Sequence, residues 1–285
     1  MSNIVITSDS TCDLSPELCE RYSIEILPLK ITLGDMIYKD GVELTPDQIY
    51  EHHAKTGQLP KTTAANIAEF TEFFQKFANA GKTVIHFNIS SGMSSTYSNS
   101  RIVASEFENI YVIDSKNLST GIGLQVIAAA EMAKKGMEAE KIVEEIEKMI
   151  PCVDASFVID SLEYLYKGGR CSALEMLGAN LLKLKPCIEV RNGVMGVGKK
   201  YRGRYADVLK SYAKDKLADL SDIDLERVFV THAGCAPEIV DEIVKTVKEL
   251  APFKEVFMTR AGCTISSHCG ANTLGVLFVR KSPVK

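Results

Sequence analysis

The stretch Asn3–Pro16 reads NIVITSDSTCDLSP, an apolar run followed by a polar run and a helix start. The β-branched side chains of the apolar run favour a buried strand. Ser15 before Pro16 is typical of a helix N-terminus, because the N–H that proline lacks would be unpaired in the first helical position anyway. A strand that leads through a polar loop into a helix is the repeating unit of an α/β sheet.

The first half of the chain repeats this unit several times. Further strands are predicted at Ser23–Leu33, Thr83–Ile89 and Asn109–Asp114. Helices are predicted to begin at Pro46 and after Asn66, and to span residues 121–135 and 138–150. Strands that alternate with helices predict a parallel sheet with right-handed crossovers and helices on both faces.

The second half is richer in strands. Strands are predicted at residues 156–160, 187–190, 193–198, 228–233, 255–260 and 273–279, and helices near 174–184, 205–218 and 237–250. Asn192-Gly193 between two strands is a strong hairpin signal. We therefore predict two α/β domains, residues 1–152 and 153–285. The second has a mixed sheet with helices mainly on one face, and the two domains share a cleft.

Composition and charge exclude several classes of protein. The 285 residues are 46% hydrophobic and carry a net charge of −4, which argues against a general nucleic-acid binder. No apolar run approaches the length of a membrane span. Residues 1–10 lack the pattern of a signal peptide, and the eight cysteines form no C-x-x-C pair. We expect a cytoplasmic protein with reduced cysteines.

Hydroxyl side chains follow the predicted strands of the first half. They cluster at Thr7–Thr11, Ser90–Thr96 and Ser115–Thr120, and Thr62–Thr63 adds a fourth cluster, in the predicted loop before the helix at Asn66. A single such cluster would indicate only a helix cap, but Ser90–Thr96 holds five hydroxyl residues, more than one cap needs. Because the carboxyl ends of parallel strands meet at one edge of a sheet, these groups and the helix N-termini behind them predict a site for a small anion.

Motifs for other chemistries fail. Gly121-Ile-Gly123 has Val126 where a dinucleotide fingerprint needs its third glycine, and no phosphate-binding loop or Gly-x-Ser-x-Gly elbow occurs. Cys263, His268 and Cys269 lack a fourth ligand and the spacing of a zinc site, so no metal site is predicted.

Histidine and arginine side chains supply the remaining candidates. His268 lies in a predicted loop before an apolar strand, where a site role and a structural role are about equally supported. Arg170 and Arg202 lie in the concentrated basic segments, and each is either solvated surface or a partner for a carboxylate or phosphate.

Several short motifs occur along the chain in the order in which a known protein family carries them. They are Thr7–Asp13, Tyr38–Gly41, Pro60–Thr63, Ser90–Tyr97, Val112–Ser115, Ser119–Gly123, Leu162–Arg170, Lys185-Pro186, Asn192-Gly193, Lys200–Gly203 and His268 before Leu274-Gly275-Val276. Together they resemble the DegV family of bacterial fatty-acid-binding proteins, which includes the binding subunits of fatty acid kinase.

The resemblance implies a two-domain α/β fold with a long-chain fatty acid between the domains and no other cofactor. The ligand-binding residues that it implies are Thr62, Thr63, Ser94, Ser95, Arg170 and His268. Of these, Thr62 and Ser94 would contact the carboxylate with His268 nearby. Arg202 would meet a phosphate or a protein partner.

The resemblance also implies a partner, a fatty acid kinase subunit that phosphorylates the bound carboxylate to an acyl phosphate. A transient contact with a membrane surface is compatible with this function. Two alternatives stay open: a self-contained acyl-transfer enzyme with Ser94 as nucleophile and His268 as base, and a sensor or scaffold whose ligand switches a protein contact.

Overall fold

The computed structural model describes residues 3–171 and 184–284. Within these ranges the strands are β1 (Ile4–Asp9), β2 (Ile24–Leu27), β3 (Lys30–Leu33), β4 (Met36–Lys39), β5 (Lys61–Thr63), β6 (Thr83–Asn88), β7 (Ile110–Asp114), β8 (Val153–Asp154), β9 (Ser156–Ile159), β10 (Lys185–Arg191), β11 (Val194–Tyr201), β12 (Ile223–Ala233), β13 (Glu255–Arg260) and β14 (Thr273–Arg280). The helices are α1 (Pro16–Tyr22), α2 (Pro46–Thr56), α3 (Ile67–Ala78), α4 (Thr96–Ala104), α5 (Thr120–Lys134), α6 (Ala139–Met149), α7 (Glu163–Gly168), α8 (Tyr205–Lys216), α9 (Pro237–Leu250) and α10 (Cys263–Cys269). The helix predicted near residues 174–184 lies, but for residue 184, outside the described residues.

The first half contains the predicted parallel sheet, in the order β2-β1-β6-β7. Successive residues of its central strands point to opposite faces. Val84 packs against α3 and α4, and Ile85 packs against α5 and α6. Because both faces are covered by helices, the strands carry continuous apolar runs rather than an alternating pattern. The predicted arrangement of this sheet is confirmed.

A second, antiparallel sheet in the first half was not predicted. Its order is β4-β3-β5. The single strand predicted over Ser23–Leu33 is wrong, because β2 joins the parallel sheet and β3 joins the small one, with Pro28 between them. Proline has no N–H to donate to a ladder, so it is a natural place for a chain to leave a sheet. Thr62, predicted in a loop, lies in β5.

The second half forms a mixed sheet in the order β11-β10-β9-β14-β12-β13, and β8 also pairs with β14. Helices α8 and α9 cover one face with an apolar layer around Tyr212 and Ile243. The Asn192-Gly193 hairpin is confirmed: both residues have positive φ (51° and 82°), as a two-residue hairpin turn of the primed type requires.

The face of the mixed sheet opposite α8 and α9 packs against the first half of the chain. Phe157, Phe229 and Leu277 of this sheet share one core with Ile122 and Val126 of α5. The domain boundary at residue 152 stays a prediction, because this core crosses it. No helix in the described ranges is long and apolar enough to span a membrane.

Candidate functional site

A cavity of about 200 Å³ lies between the parallel sheet and the mixed sheet. Most of its wall is apolar and comes from both halves of the chain: Leu29, Ile89, Met93, Leu118, Phe157, Leu165, Met195, Ile265 and Leu277. Such a wall removes hydrocarbon from water and offers few partners to a polar ligand.

The six residues that sequence analysis assigned to a ligand all line this one cavity: Thr62, Thr63, Ser94, Ser95, Arg170 and His268. They come from β5, the loop before α4, the turn after α7, and α10. The structure therefore brings these side chains together, although their role in binding stays a prediction.

Thr62 and His268 form a hydrogen-bonded pair across the two halves. The Thr62 Oγ1 atom lies 2.9 Å from the His268 Nε2 atom, although the residues are 206 positions apart. The loop predicted around His268 is wrong, because His268 lies in the last turn of α10. A helix fixes the position of the ring more closely than a loop would.

The His268 ring is an uncharged group. Burial and, to a smaller extent, the positive charge of Arg170 lower the pKa of the imidazole to about 4. Its Nδ1 atom is buried without a hydrogen-bond partner among the described residues. A Cβ atom on Gly168 would lie 2.5 Å from that nitrogen, so glycine at this position leaves room for the ring.

The Ser94 hydroxyl is fixed by its own loop. Its Oγ atom lies 2.8 Å from the Thr96 Oγ1 atom and accepts a hydrogen bond from the Thr96 N–H. Ser94 is half-buried and Ser95 is exposed at the start of α4. The serine–histidine pair that an acyl-transfer enzyme requires is not formed, because Ser94 pairs with Thr96 and His268 with Thr62.

The two arginines lie in different places. Arg170 is exposed, donates to the Gly168 carbonyl over 2.6 Å, and borders the cavity beside His268. Arg202 is exposed after β11 and is not among the residues that line the cavity. Its predicted contact with a phosphate or a partner stays a prediction.

Sequence analysis missed three buried carboxylates beside the site, Asp9, Asp13 and Asp40. Burial raises the pKa of Asp9 to about 6 and that of Asp13 well above its usual value. Asp13 and Asp40 accept hydrogen bonds from the first backbone N–H groups of α10. The signal in the sequence was the presence of these acidic residues in the motifs Thr7–Asp13 and Tyr38–Gly41, but nothing local pairs them with α10.

Comparison with known proteins identifies the family of this chain. A family model described as "Uncharacterised protein, DegV family" matches residues 3–281. A DegV domain-containing protein of Caldanaerobacter subterraneus subsp. tengcongensis is 32% identical over 99% of this chain and all of its own length.

Solved structures share the fold over nearly the whole chain. A fatty-acid-binding DegV family protein from Thermus thermophilus superposes with a TM-score of 0.90 at 26% identity, covering 98% of this chain and all of its own. A stearic-acid-binding protein from Eubacterium ventriosum gives a TM-score of 0.84 at 26% identity, covering 99% of both chains. With the family match across residues 3–281, these likenesses show that the chain belongs to the DegV family.

Proposed function

We propose that this protein binds a long-chain fatty acid, with the carboxylate at Thr62, Ser94 and His268 and the acyl chain in the apolar cavity. The observation that carries the proposal is the Thr62–His268 hydrogen bond on the wall of that cavity. Its relatives from Thermus thermophilus and Eubacterium ventriosum are described as fatty-acid-binding and stearic-acid-binding proteins, which supports the same ligand class.

The chemistry of the wall suits such a ligand. Each methylene group removed from water contributes about 0.8 kcal/mol, so the tail supplies most of the affinity. A carboxylate buried without partners would lose several kcal/mol of that gain. When the His268 Nε2 atom carries the ring proton, it donates to the Thr62 oxygen and leaves the Thr62 O–H free to donate to the carboxylate. Arg170 adds positive charge at the border of the cavity.

The carboxylate end of this ligand would then be offered to a partner kinase, which phosphorylates it to an acyl phosphate. Thr63, Ser95 and Arg170 are exposed beside the half-buried Thr62 and Ser94, which gives a second protein access to the head group. Arg170 and Arg202 are the groups that we propose to meet the added phosphate or the kinase.

Native mass spectrometry of the protein purified from its own cells tests the binding step. We expect a bound fatty acid, and uptake of palmitate by protein that has been stripped of lipid. A clean apo mass together with no uptake of palmitate or oleate would contradict the proposal.

The head-group assignment is tested with Thr62→Val. Loss of a hydrogen bond to a charged group costs about 1.5–3 kcal/mol, so palmitate should bind about 10- to 100-fold more weakly, whereas hexadecanol should bind nearly as before. Thr71→Val is the matched control, because the Thr71 hydroxyl donates only to the Ile67 carbonyl within α3. Equal palmitate affinity in Thr62→Val and wild type would refute the assignment.

The kinase step needs a separate test. At saturating palmitate, which offsets any loss of affinity from removing the charge of Arg170, the double variant Arg170→Gln with Arg202→Gln should reduce acyl-phosphate formation by the fatty acid kinase of the same cell. Unchanged phosphorylation would remove both arginines from the proposal. Ligand binding without phosphorylation of the wild type would favour the sensor or scaffold.

A further inference from the structure

Helix α10 is capped by side chains from the other half of the chain. The first N–H groups of a helix have no partner within it and usually find one in the residue just before. That residue is Gly262, which has no side chain. Instead the Gly262 N–H donates to Asp13 over 2.8 Å, and the Cys263 and Thr264 N–H groups donate to Asp40 over 2.7 and 3.1 Å.

Both carboxylates are tied to further groups. Asp40 also accepts hydrogen bonds from the hydroxyls of Thr264 (2.6 Å) and Ser10 (2.9 Å). Asp13 also accepts one from the hydroxyl of Ser119. All the donors except those of α10 belong to the first half, so the two carboxylates fix the start of this helix to that half.

Ser119 shows how tightly this region is held. Its backbone has φ 52° and ψ −145°, a conformation that residues other than glycine rarely adopt. Such a residue persists only where its surroundings over-determine it. The bond from Ser119 to Asp13 is one of those constraints, and Ser119 also lines the cavity.

Both ends of α10 are held by residues in or next to the small antiparallel sheet β4-β3-β5. Asp40 follows β4 and donates its backbone N–H to Leu29, next to β3. Thr62 lies in β5, which pairs with β3 and contacts His268 in the last turn of α10. Thr264 and His268 are four residues apart, a rise of about 6 Å along the helix. One sheet therefore holds both ends of a short helix.

We propose that Asp13 and Asp40 are positioning residues for His268, which act by fixing α10 so that the ring reaches Thr62 and the ligand carboxylate. The inference rests on the proposed function and deepens it. The ring has a single hydrogen bond and its Nδ1 atom has none among the described residues, so its position depends on the helix that carries it. Because the Thr62 bond is 2.9 Å long, a shift of about 1 Å in α10 would break it.

The variant Asp40→Asn tests the proposal in the full-length protein. Its amide cannot accept the bonds that both oxygens accept now, so α10 loses part of its cap. We expect palmitate to bind about tenfold more weakly, with hexadecanol binding unchanged. The ratio of the two affinities isolates the head group, and a general loss of stability would not move it.

Asp154→Asn is the matched control. Asp154 is equally buried, but its carboxylate pairs with Lys216 and Arg280, away from α10. It should lower stability without changing the palmitate-to-hexadecanol ratio. A change of the ratio equal to that of Asp40→Asn would overturn the proposal. If Asp40→Asn does not fold, Asp13→Asn, which keeps one acceptor for the Gly262 N–H, takes its place with the same expected direction and a smaller effect.

A double-mutant cycle shows whether the effect passes through His268. In a His268→Gln background, Asp40→Asn should change the ratio no further, because the ring it positions is gone. An undiminished effect in that background would show that Asp40 acts by another route and would sink the inference. A wild type that does not prefer palmitate to hexadecanol would instead contradict the proposed function itself, so the two failures are distinguishable.

Discussion

The buried His86 and the half-buried His268 have different surroundings. His268 borders a cavity, whereas His86 lies in β6 among the rings of Phe70, Phe73 and Phe74, with centroids 5.3–5.8 Å away. The His86 Nδ1 atom is 2.8 Å from the Thr7 hydroxyl. These contacts give His86 a structural role in the core of the first half.

The buried His86 makes stability depend on pH. Burial lowers its pKa from 6.5 to about 3, so between these values the unfolded chain binds a proton that the native protein does not. The contribution of His86 to the free energy of unfolding is therefore fully present above pH 6.5. It decreases by about 1.4 kcal/mol for each pH unit as the pH falls from 6.5 towards 3. His86→Gln should remove this slope, as measured by urea unfolding at pH 6.5 and 4.5.

The buried Asp9 should make stability depend on pH in the opposite direction. Burial raises its folded pKa from 3.8 to about 6, so its contribution is present below pH 3.8 and is lost as the pH rises through 6. Asp9→Asn should therefore lower stability more at pH 4 than at pH 7. Equal losses at both pH values, or a wild-type slope in His86→Gln, would show that these groups titrate normally in the folded protein.

At the scale of elements, the hairpin between β10 and β11 closes onto the serine loop before α4. The Ser90 hydroxyl donates to the Gly193 carbonyl over 2.6 Å and accepts the Gly92 N–H. A Cβ atom on Gly92 would lie 2.6 Å from that carbonyl oxygen. The hairpin tip and the loop that carries Ser94 can approach this closely only because residue 92 has no side chain.

Gly92→Ala should therefore push the hairpin from the loop. We expect a loss of about 1–3 kcal/mol in the free energy of unfolding, the usual cost of overpacking, together with weaker palmitate binding. Gly196→Ala in β11 is the control, because an added Cβ there meets nothing within 4 Å. Urea unfolding and a palmitate titration measure both variants. A loss in Gly196→Ala as large as in Gly92→Ala would trace the effect to the strand and not to the contact.

The elements that sequence analysis predicted are those with local signals. The helices at Pro46 and Asn66 carry caps, and α3 has a regular apolar face. Helix α10 has neither, since its sequence Cys-Thr-Ile-Ser-Ser-His-Cys is poor in helix formers and its caps come from Asp13 and Asp40. The small sheet was not predicted because its strands are only three or four residues long, too short to show a clear alternating pattern.

The site was predictable only through the family resemblance. Hydroxyl clusters after parallel strands indicated the edge of the sheet, and Ser94 and Ser119 of two of these clusters line the cavity. Thr62 and His268, in contrast, meet over 206 positions, and no spacing rule joins residues so far apart. Their motifs could be matched to a family, but the bond between them follows from tertiary structure alone.

At the scale of the molecule, the two halves are joined by polar contacts as well as by the shared apolar core. Arg227 of β12 is buried and donates to Glu131 of α5 over 2.6 Å. Arg21 of α1 donates to Glu255 of β13 over the same distance. With the caps of α10 on another part of the interface, these contacts oppose separation of the halves at more than one place.

A chain joined in this way should unfold in one step, although residues 1–152 and 153–285 are predicted as two domains. The chain has no tryptophan, so Phe107→Trp and Phe253→Trp each give one probe, in the apolar clusters of the first and second half that lie outside the shared core. We expect the two fluorescence transitions and the far-ultraviolet circular dichroism to coincide in urea. Midpoints that differ by more than about 0.5 M, after correction for the stability of each variant, would mean that each half folds by itself. A single transition would mean that a ligand between the halves stabilises the whole chain, so saturating palmitate should move both probes together.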